Sequence, residues 1–334
     1  MSSRLISIRE RLSGSPSSSS SAVTPANDRI VFDEELLARL RRLTLLSSTS
    51  LSHGLAGEHR SQRRGSSPEF ADFKSYSQGD DFRRIDWNIY SRLGELFVRL
   101  SEVTTELTVH LLLDASGSMD WSGDPERVTK FTYARRVAGS LGYVGLWHFD
   151  RLTITPFGTQ LGQPYGPSHG RSNITAMLIY LTELDASGST SFAESLERYA
   201  RARKRPGILI VLSDLLSGEP EDMRIAFQLL RSRGWQTTIV QIVDPAERDP
   251  SLSFPTGPGA QPLTIELIDL EQAGRLRVTP TQTALDDYGR AIAAWQMDIE
   301  AVCESEQIPL ITLQTDWPFE TVVLGLLAQR GMVG

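Results

Sequence analysis

The apolar segment 107–113 (LTVHLLL) is followed by a run of oxygen-bearing side chains. Asp114, Ser116 and Ser118 occupy alternate positions of the sequence DASGS. A carboxylate and two hydroxyls are hard oxygen donors, and a tight loop can direct all three toward one cation. The same residues also suit an ordinary turn, or the cap of a following helix. The pentapeptide alone leaves both interpretations open.

Two later segments carry side chains of the same kind. Thr190 ends the sequence DASGST before a predicted helix, and Asp214 follows the apolar run 207–212. Ligands of open parallel sheets bind beyond the carboxyl ends of the strands, so we expect these residues to lie near the first loop. Two carboxylates and three hydroxyls, without histidine or thiol, predict a site for Mg²⁺ or, less selectively, for Mn²⁺ or Ca²⁺.

The elements that must position these residues alternate between short apolar runs and helical periodicity. Strands are predicted over 107–113, 207–212, 236–243 and 310–314, and helices over 126–141, 174–184, 192–203, 221–233, 281–306 and 319–330. Such alternation predicts a three-layer, Rossmann-like α/β fold, with a mostly parallel sheet and helices on both faces. The runs 144–149 and 152–157 are predicted as two strands joined by a tight turn, which would give one antiparallel edge. A polar hairpin is expected over 263–278.

The N-terminal part differs in composition from the rest of the chain. Residues 1–28 contain an unbroken serine run and are predicted to be a disordered lead-in. Residues 29–106 are expected to combine a helix over 33–46 with a β-rich segment dense in aromatic and charged residues. That segment can be a small appended sheet, a docking surface, or both, because Tyr, Trp and Arg dominate interface hot spots.

Composition narrows the classes of function. The net charge is −7, so bulk charge does not point to nucleic acid. None of the lysines lies in a P-loop pattern, and the dinucleotide fingerprint GxGxxG is missing from the sequence. The single cysteine, Cys303, permits no intrachain disulfide. With no apolar run of about 18 residues, we expect no membrane span and a soluble, cytoplasmic protein.

Enzymatic interpretations find little support in the sequence. Ser116 does not lie in a GxSxG elbow, and the last histidine, His169, comes too early for a hydrolase triad. An aspartate-nucleophile phosphatase is typically marked by Asp-x-Asp at a strand end, where this chain has Ser116. A metal-dependent hydrolase, phosphatase or esterase, using the same Asp and Ser residues is kept as the alternative to a binding module.

The combination of the three loops resembles the von Willebrand factor A (vWA) domain with its metal-ion-dependent adhesion site. The resemblance covers about 107–334, with 263–278 as a hairpin insertion. It implies that Ser116, Ser118 and Thr190 coordinate the metal directly, and that Asp114 and Asp214 act directly or through water. It also implies that an acidic residue of a partner fills the open coordination position.

The preceding segment resembles the DUF58 family, whose function is unknown. The resemblance rests on Glu69-Phe70-Ala71-Asp72, Gly79-Asp80-Asp81, Arg83 and Ile85-Asp86-Trp87. Members of that family are often encoded beside MoxR-type AAA+ ATPases, which implies an adaptor or assembly factor acting with such an ATPase or its client protein. The candidate partner-binding residues are Asp80, Asp81, Arg83, Asp86 and Trp87.

Overall fold

The computed structural model describes residues 30, 32–43, 45, 70–77, 82–101, 107–203, 205–249, 265–271, 274–279, 281–320 and 325. The chain divides into two compact units. One contains Met1–Leu51 and Leu107–Gly334, and the other contains Ser52–Glu106. The predicted disordered lead-in over 1–28 lies outside the described residues, as do Asp80 and Asp81.

A six-stranded sheet forms the centre of the larger unit. Its strands are β3 (Thr108–Asp114), β4 (Arg151–Phe157), β5 (Tyr165–His169), β6 (Ile208–Ser213), β7 (Gln236–Val243) and β10 (Leu310–Gln314). Their order is β10-β7-β6-β3-β4-β5, and every pairing is parallel except that of β4 with β5. A separate antiparallel hairpin joins β8 (Ile265–Ile268) to β9 (Arg275–Val278).

Helices cover both faces of this sheet. They are α1 (Glu34–Leu40), α3 (Lys130–Trp147), α4 (Ile174–Thr182), α5 (Phe192–Ala202), α6 (Pro220–Ser232), the short α7 (Pro245–Arg248) and α8 (Gln282–Ser305). Alternate residues of β3 face opposite sides: Leu111 and Leu113 join the core beneath α3, whereas Leu112 joins the core beneath α5, α6 and α8. The predicted α/β fold is confirmed. Among the described residues, no helix combines the length and apolarity needed to cross a membrane.

The smaller unit pairs β1 (Phe70–Ser75) with β2 (Phe97–Ser101) in antiparallel fashion. Helix α2 (Trp87–Leu93) lies between these strands in sequence, although the segment is predicted to be β-rich. Asp86 caps the helix by accepting hydrogen bonds from two backbone N–H groups, and Gly94 ends it at φ 72°. These two signals outweigh the β propensity of the aromatic residues between them.

Helix α1 packs against the larger unit, although the sequence groups it with the β-rich segment. Its N-cap is Asp33, whose side chain accepts a hydrogen bond from Leu36 N–H. Leu36 and Leu40 are buried in the same core as α3, and Arg41 Nε donates to the Tyr143 hydroxyl at 3.1 Å. The sequence grouping followed chain order, whereas burial of the leucines decides where the helix packs.

The predicted strand pair over 144–157 is wrong in its first half. Residues 144–147 are the last turn of α3, and β4 runs parallel to β3. The antiparallel edge is instead β5, which pairs with β4. Almost every residue of α3 is buried, so its sequence lacks the polar stripe that marks a surface helix. The run VGLWHF therefore has the composition of a buried strand.

Candidate metal centre

The predicted ligands lie at the point where the strand order of the sheet reverses. From β3 the chain proceeds to β4 on one side, and it later returns to β6 on the other. Asp114 is the last residue of β3, and Asp214 directly follows β6. Because β3 and β6 are paired in parallel, the two carboxylates lie at the same edge of the sheet. This switch point is the usual ligand position in open α/β sheets.

Asp114 organises the first loop. One carboxylate oxygen accepts the Ser116 N–H at 3.0 Å, and the other accepts the Ser213 hydroxyl at 2.6 Å. The Ser116 and Ser118 hydroxyl oxygens lie 3.0 Å apart. All four side chains are buried. The loop therefore holds two hydroxyls side by side, with Asp114 fixed behind them.

The loop that carries Thr190 is held against the first loop by backbone hydrogen bonds. Ser187 N–H donates to the Ala115 carbonyl, and Gly117 N–H donates to the Gly188 carbonyl, each at 2.8 Å. Thr190 Oγ1 is buried and has no hydrogen-bond partner among the described residues. A buried hydroxyl without a partner costs free energy, so its place beside this cluster calls for a ligand or another compensating group.

Asp214 is held by the backbone that follows it. One carboxylate oxygen accepts the Leu216 N–H at 3.1 Å. Leu215 adopts φ 59°, a left-handed conformation that is unusual for a branched, non-glycine residue. The Leu215 N–H donates to the Ser213 hydroxyl, and the Trp295 indole N–H donates to the Leu215 carbonyl, each at 3.1 Å. Backbone strain of this kind is often found at functional positions.

Lys130, at the first position of α3, also enters this cluster. Its ammonium donates to the second Asp214 oxygen at 2.7 Å and also to Glu247, and the side chain is fully buried. Burial lowers the pKa of Lys130, but the charges of Asp214 and Glu247 outweigh it and raise the pKa above its usual value. Lys130 therefore stays charged.

Glu247 connects the lysine to the end of β7. It belongs to a capping box of α7, in which Asp244 N–H donates to its second carboxylate oxygen at 3.1 Å. Burial raises the pKa of Glu247 to about 7, against the opposing effect of Lys130. Sequence reasoning missed Lys130 and Glu247. The one available signal was that Lys130 is one of only three lysines among 34 basic residues.

Negative charge is in excess at this edge of the sheet. Burial, and then the nearby charge of Asp214, raise the pKa of Asp114 to about 7, although Ser213 and Ser116 hydrogen bonds oppose the shift. Asp114, Asp214 and Glu247 carry three carboxylates against the single ammonium of Lys130. When all three are ionised, they exceed the ammonium by two negative charges, which a divalent cation would balance.

Comparison with known proteins gives the family. Residues 72–296 match the family described as "Protein of unknown function DUF58". The chain belongs to the DUF58 family. Uncharacterized proteins of Mycobacterium tuberculosis and Mycobacterium bovis are each 25% identical to it over 303 residues, covering 89% of this chain and 90% of theirs.

Solved structures similar to this DUF58 protein include three of low sequence identity. The VWA domain of SpRpn10 gives a TM-score of 0.38 at 10% identity, covering 67% of this chain and 95% of that domain. Manganese-loaded TRAP protein of Plasmodium vivax gives 0.31 at 16%, covering 41% and 57%. An uncharacterized membrane-spanning protein of Vibrio fischeri gives 0.24 at 15%, covering 67% and 98%.

The DUF58 signature segment places its predicted partner-binding residues in different environments. Arg83 and Trp87 are exposed, and the Trp87 ring packs edge-on against Tyr90. Asp86 is buried and caps α2, so its carboxylate supports the helix on which Trp87 lies. Of the predicted set, Arg83 and Trp87 are the exposed members among the described residues.

The donor set at the sheet edge suits a hard cation only if the hydroxyls take part. Within the described parts of the chain, no group of three His, Cys, Asp or Glu side chains is arranged to hold a metal. Asp114 and Asp214 therefore need the oxygens of Ser116, Ser118 and Thr190 to complete a coordination shell. Oxygen donors of these types fit Mg²⁺, Mn²⁺ or Ca²⁺.

Proposed function

We propose that this DUF58 protein is a metal-dependent protein-interaction module. Ser116, Ser118 and Thr190 would hold Mg²⁺, or Mn²⁺ or Ca²⁺, together with Asp114 and Asp214 acting directly or through water. The cation would supply one open coordination position, which an acidic side chain of a partner protein fills. This mode of binding is what the resemblance to vWA adhesion sites implies.

The surplus of buried carboxylates at the sheet edge is the observation that carries this proposal. Asp114 and Asp214 lie at the carboxyl ends of neighbouring strands. The single charge of Lys130 neutralises only part of the combined charge of Asp114, Asp214 and Glu247. The buried Thr190 hydroxyl, which has no partner in the described structure, supports it independently. A divalent cation would satisfy both the charge and the hydroxyl.

The proposed partner is a MoxR-type AAA+ ATPase or its client protein. The DUF58 resemblance motivates this choice, and the exposed Arg83 and Trp87 would offer a second contact surface on the smaller unit. Tryptophan and arginine are enriched among the residues that carry binding energy at interfaces.

Binding of a candidate MoxR-type ATPase to the full chain, in Mg²⁺ and in EDTA, tests this proposal. Ser118→Ala removes one proposed ligand, and we expect it to weaken binding as strongly as EDTA does. Ser140→Ala removes a buried hydroxyl about 15 Å along α3 from Lys130 and should leave binding unchanged. Equal binding by wild type, Ser118→Ala and Ser140→Ala in both buffers would overturn the proposal.

A metal-dependent hydrolase is favoured by one observation, the contact between Lys130 and Asp214, because a lysine near strand-end aspartates is typical of phosphatases. Against it, both oxygens of Asp114 already accept hydrogen bonds, and both partners of Lys130 are carboxylates of this chain. Hydrolysis of p-nitrophenyl phosphate in Mg²⁺ separates the two functions. Turnover that disappears in Asp114→Asn would favour the hydrolase, and no turnover agrees with binding.

A further inference from the structure

The turn of the β8–β9 hairpin lies on the proposed metal ligands. Glu271, in that turn, is half-buried. Its carboxylate lies near the Ser118 hydroxyl and the Thr190 backbone N–H. An acidic side chain of this same chain thus reaches two of the three residues that carry the proposed hydroxyl ligands.

The turn is fitted to the loops beneath it. The Ser189 hydroxyl donates to the Glu271 carbonyl at 3.2 Å, and the Glu271 N–H donates to Asp269 Oδ1 at 2.8 Å. Gly117 lies so close to the turn that a Cβ there would be 2.6 Å from the Leu270 carbonyl oxygen. Only glycine permits this approach, so the first loop accommodates the backbone of the hairpin.

A carboxylate is an unfavourable group to place there without a cation. Glu271 is half-buried, and Asp114 and Asp214 already place two buried carboxylates at this edge of the sheet. The position is therefore negative before Glu271 enters it. A divalent cation between these carboxylates would reverse the sign of the interaction.

We propose that Glu271 is the chain's own acidic ligand for the metal, and that it takes the coordination position that a partner's carboxylate would fill. This inference rests on the proposed function. The hairpin then acts as a built-in competitor: an acidic partner binds by displacing Glu271, and its apparent affinity is reduced by the fraction of time that the hairpin occupies the site.

Calorimetric titration of Mn²⁺ into the full chain tests the ligand role. Glu271→Gln keeps the size of the side chain but removes its charge, and we expect Mn²⁺ affinity to fall about tenfold. Glu304→Gln removes an exposed carboxylate near the end of α8 and should match the wild type. Unchanged affinity in Glu271→Gln would contradict direct ligation.

Acetate serves as a minimal probe for the partner's carboxylate. With Mn²⁺ at saturating concentration, coordinated acetate gives broadened methyl proton signals in NMR spectra because the bound cation is paramagnetic. We expect several-fold greater broadening with Glu271→Ala than with wild type or Glu304→Gln. Equal broadening in the three proteins would overturn the competition.

The two proposals fail in different ways. If the wild type does not bind Mn²⁺, the metal site itself is wrong, and the role of Glu271 falls with it. If the wild type binds Mn²⁺ but the Glu271 variants match it in both experiments, the metal site stands and only the hairpin inference is overturned.

Discussion

The candidate metal site depends on a few buried side chains, whose charges and contacts are set by the residues packed around them. The sequence identifies Asp114 and Asp214 as strand-end acids, and the structure brings them to adjacent strands. Lys130 and Glu247 could not be predicted, because their contact joins the start of α3 to the short helix α7, 117 positions away. Only the packing of α3 over the sheet places the ammonium between the two carboxylates.

Replacing Lys130 tests the charge balance of this cluster. Lys130→Met leaves Asp214 and Glu247 buried without their cation, and we expect the free energy of unfolding to fall by about 3–5 kcal/mol. Urea denaturation at pH 7.5 measures this change. Adding Glu247→Gln to Lys130→Met removes one of the two stranded charges and should restore part of the loss. A loss below about 1 kcal/mol in the single variant would contradict the account.

At the scale of elements, periodicity gave the later part of the fold correctly. Strands β7 and β10 have the predicted bounds, and α5, α6 and α8 lie within a residue or two of theirs. These helices have one polar face, so their periodicity is visible in the sequence. The C-terminal end of α3 was missed because both of its faces are buried. The short edge strand β5 was missed because it contains Gly166 and Pro167, which are uncommon inside strands. The predicted helix over 319–330 lies largely outside the described residues.

Helix α1 gives a direct test of element packing. Leu40 is fully buried against the core that contains α3, so Leu40→Ala should lower the free energy of unfolding of the larger unit by about 2–5 kcal/mol. Leu93→Ala, at a position 67% exposed, should change it by less than about 0.5 kcal/mol. Chemical denaturation followed by circular dichroism compares them. Equal effects of the two variants would mean that α1 contributes nothing to that core.

At the scale of the whole molecule, one buried histidine couples the stability of the core to pH. His110 lies in β3, where its Nδ1 is 2.7 Å from the Tyr199 hydroxyl and its ring packs edge-on against Trp235. Burial, and then the charge of Arg203, lower the pKa of His110 to about 4. The folded protein therefore disfavours the imidazolium form.

The sign of this pH effect follows from the two pKa values. Well above pH 6.5 His110 is neutral in both the folded and the unfolded chain, so its titration does not change the free energy of unfolding there. As pH falls from 6.5 toward 4, the unfolded chain takes up the proton first, and stability should fall by about 2–3 kcal/mol at pH 4.5. His110→Gln cannot titrate and should show a shallower loss in urea denaturation between pH 7.5 and 4.5. Identical pH profiles of the two proteins would count against this role of His110.

The metal site is the central claim, and Thr190→Val tests it most directly by calorimetric titration of Mg²⁺ or Mn²⁺. Because Thr190 Oγ1 is buried and has no protein partner in the described structure, its removal should not lower the stability of the metal-free chain. We predict that wild type binds the cation and that Thr190→Val binds it at least about tenfold more weakly.

The matched control is Thr237→Val. It removes another buried hydroxyl that has no partner among the described residues, near the start of β7 and about 20 Å along the strand from the site, and should bind like wild type. The proposed metal site is contradicted if wild type takes up no divalent cation, or if Thr190→Val binds it as tightly as Thr237→Val.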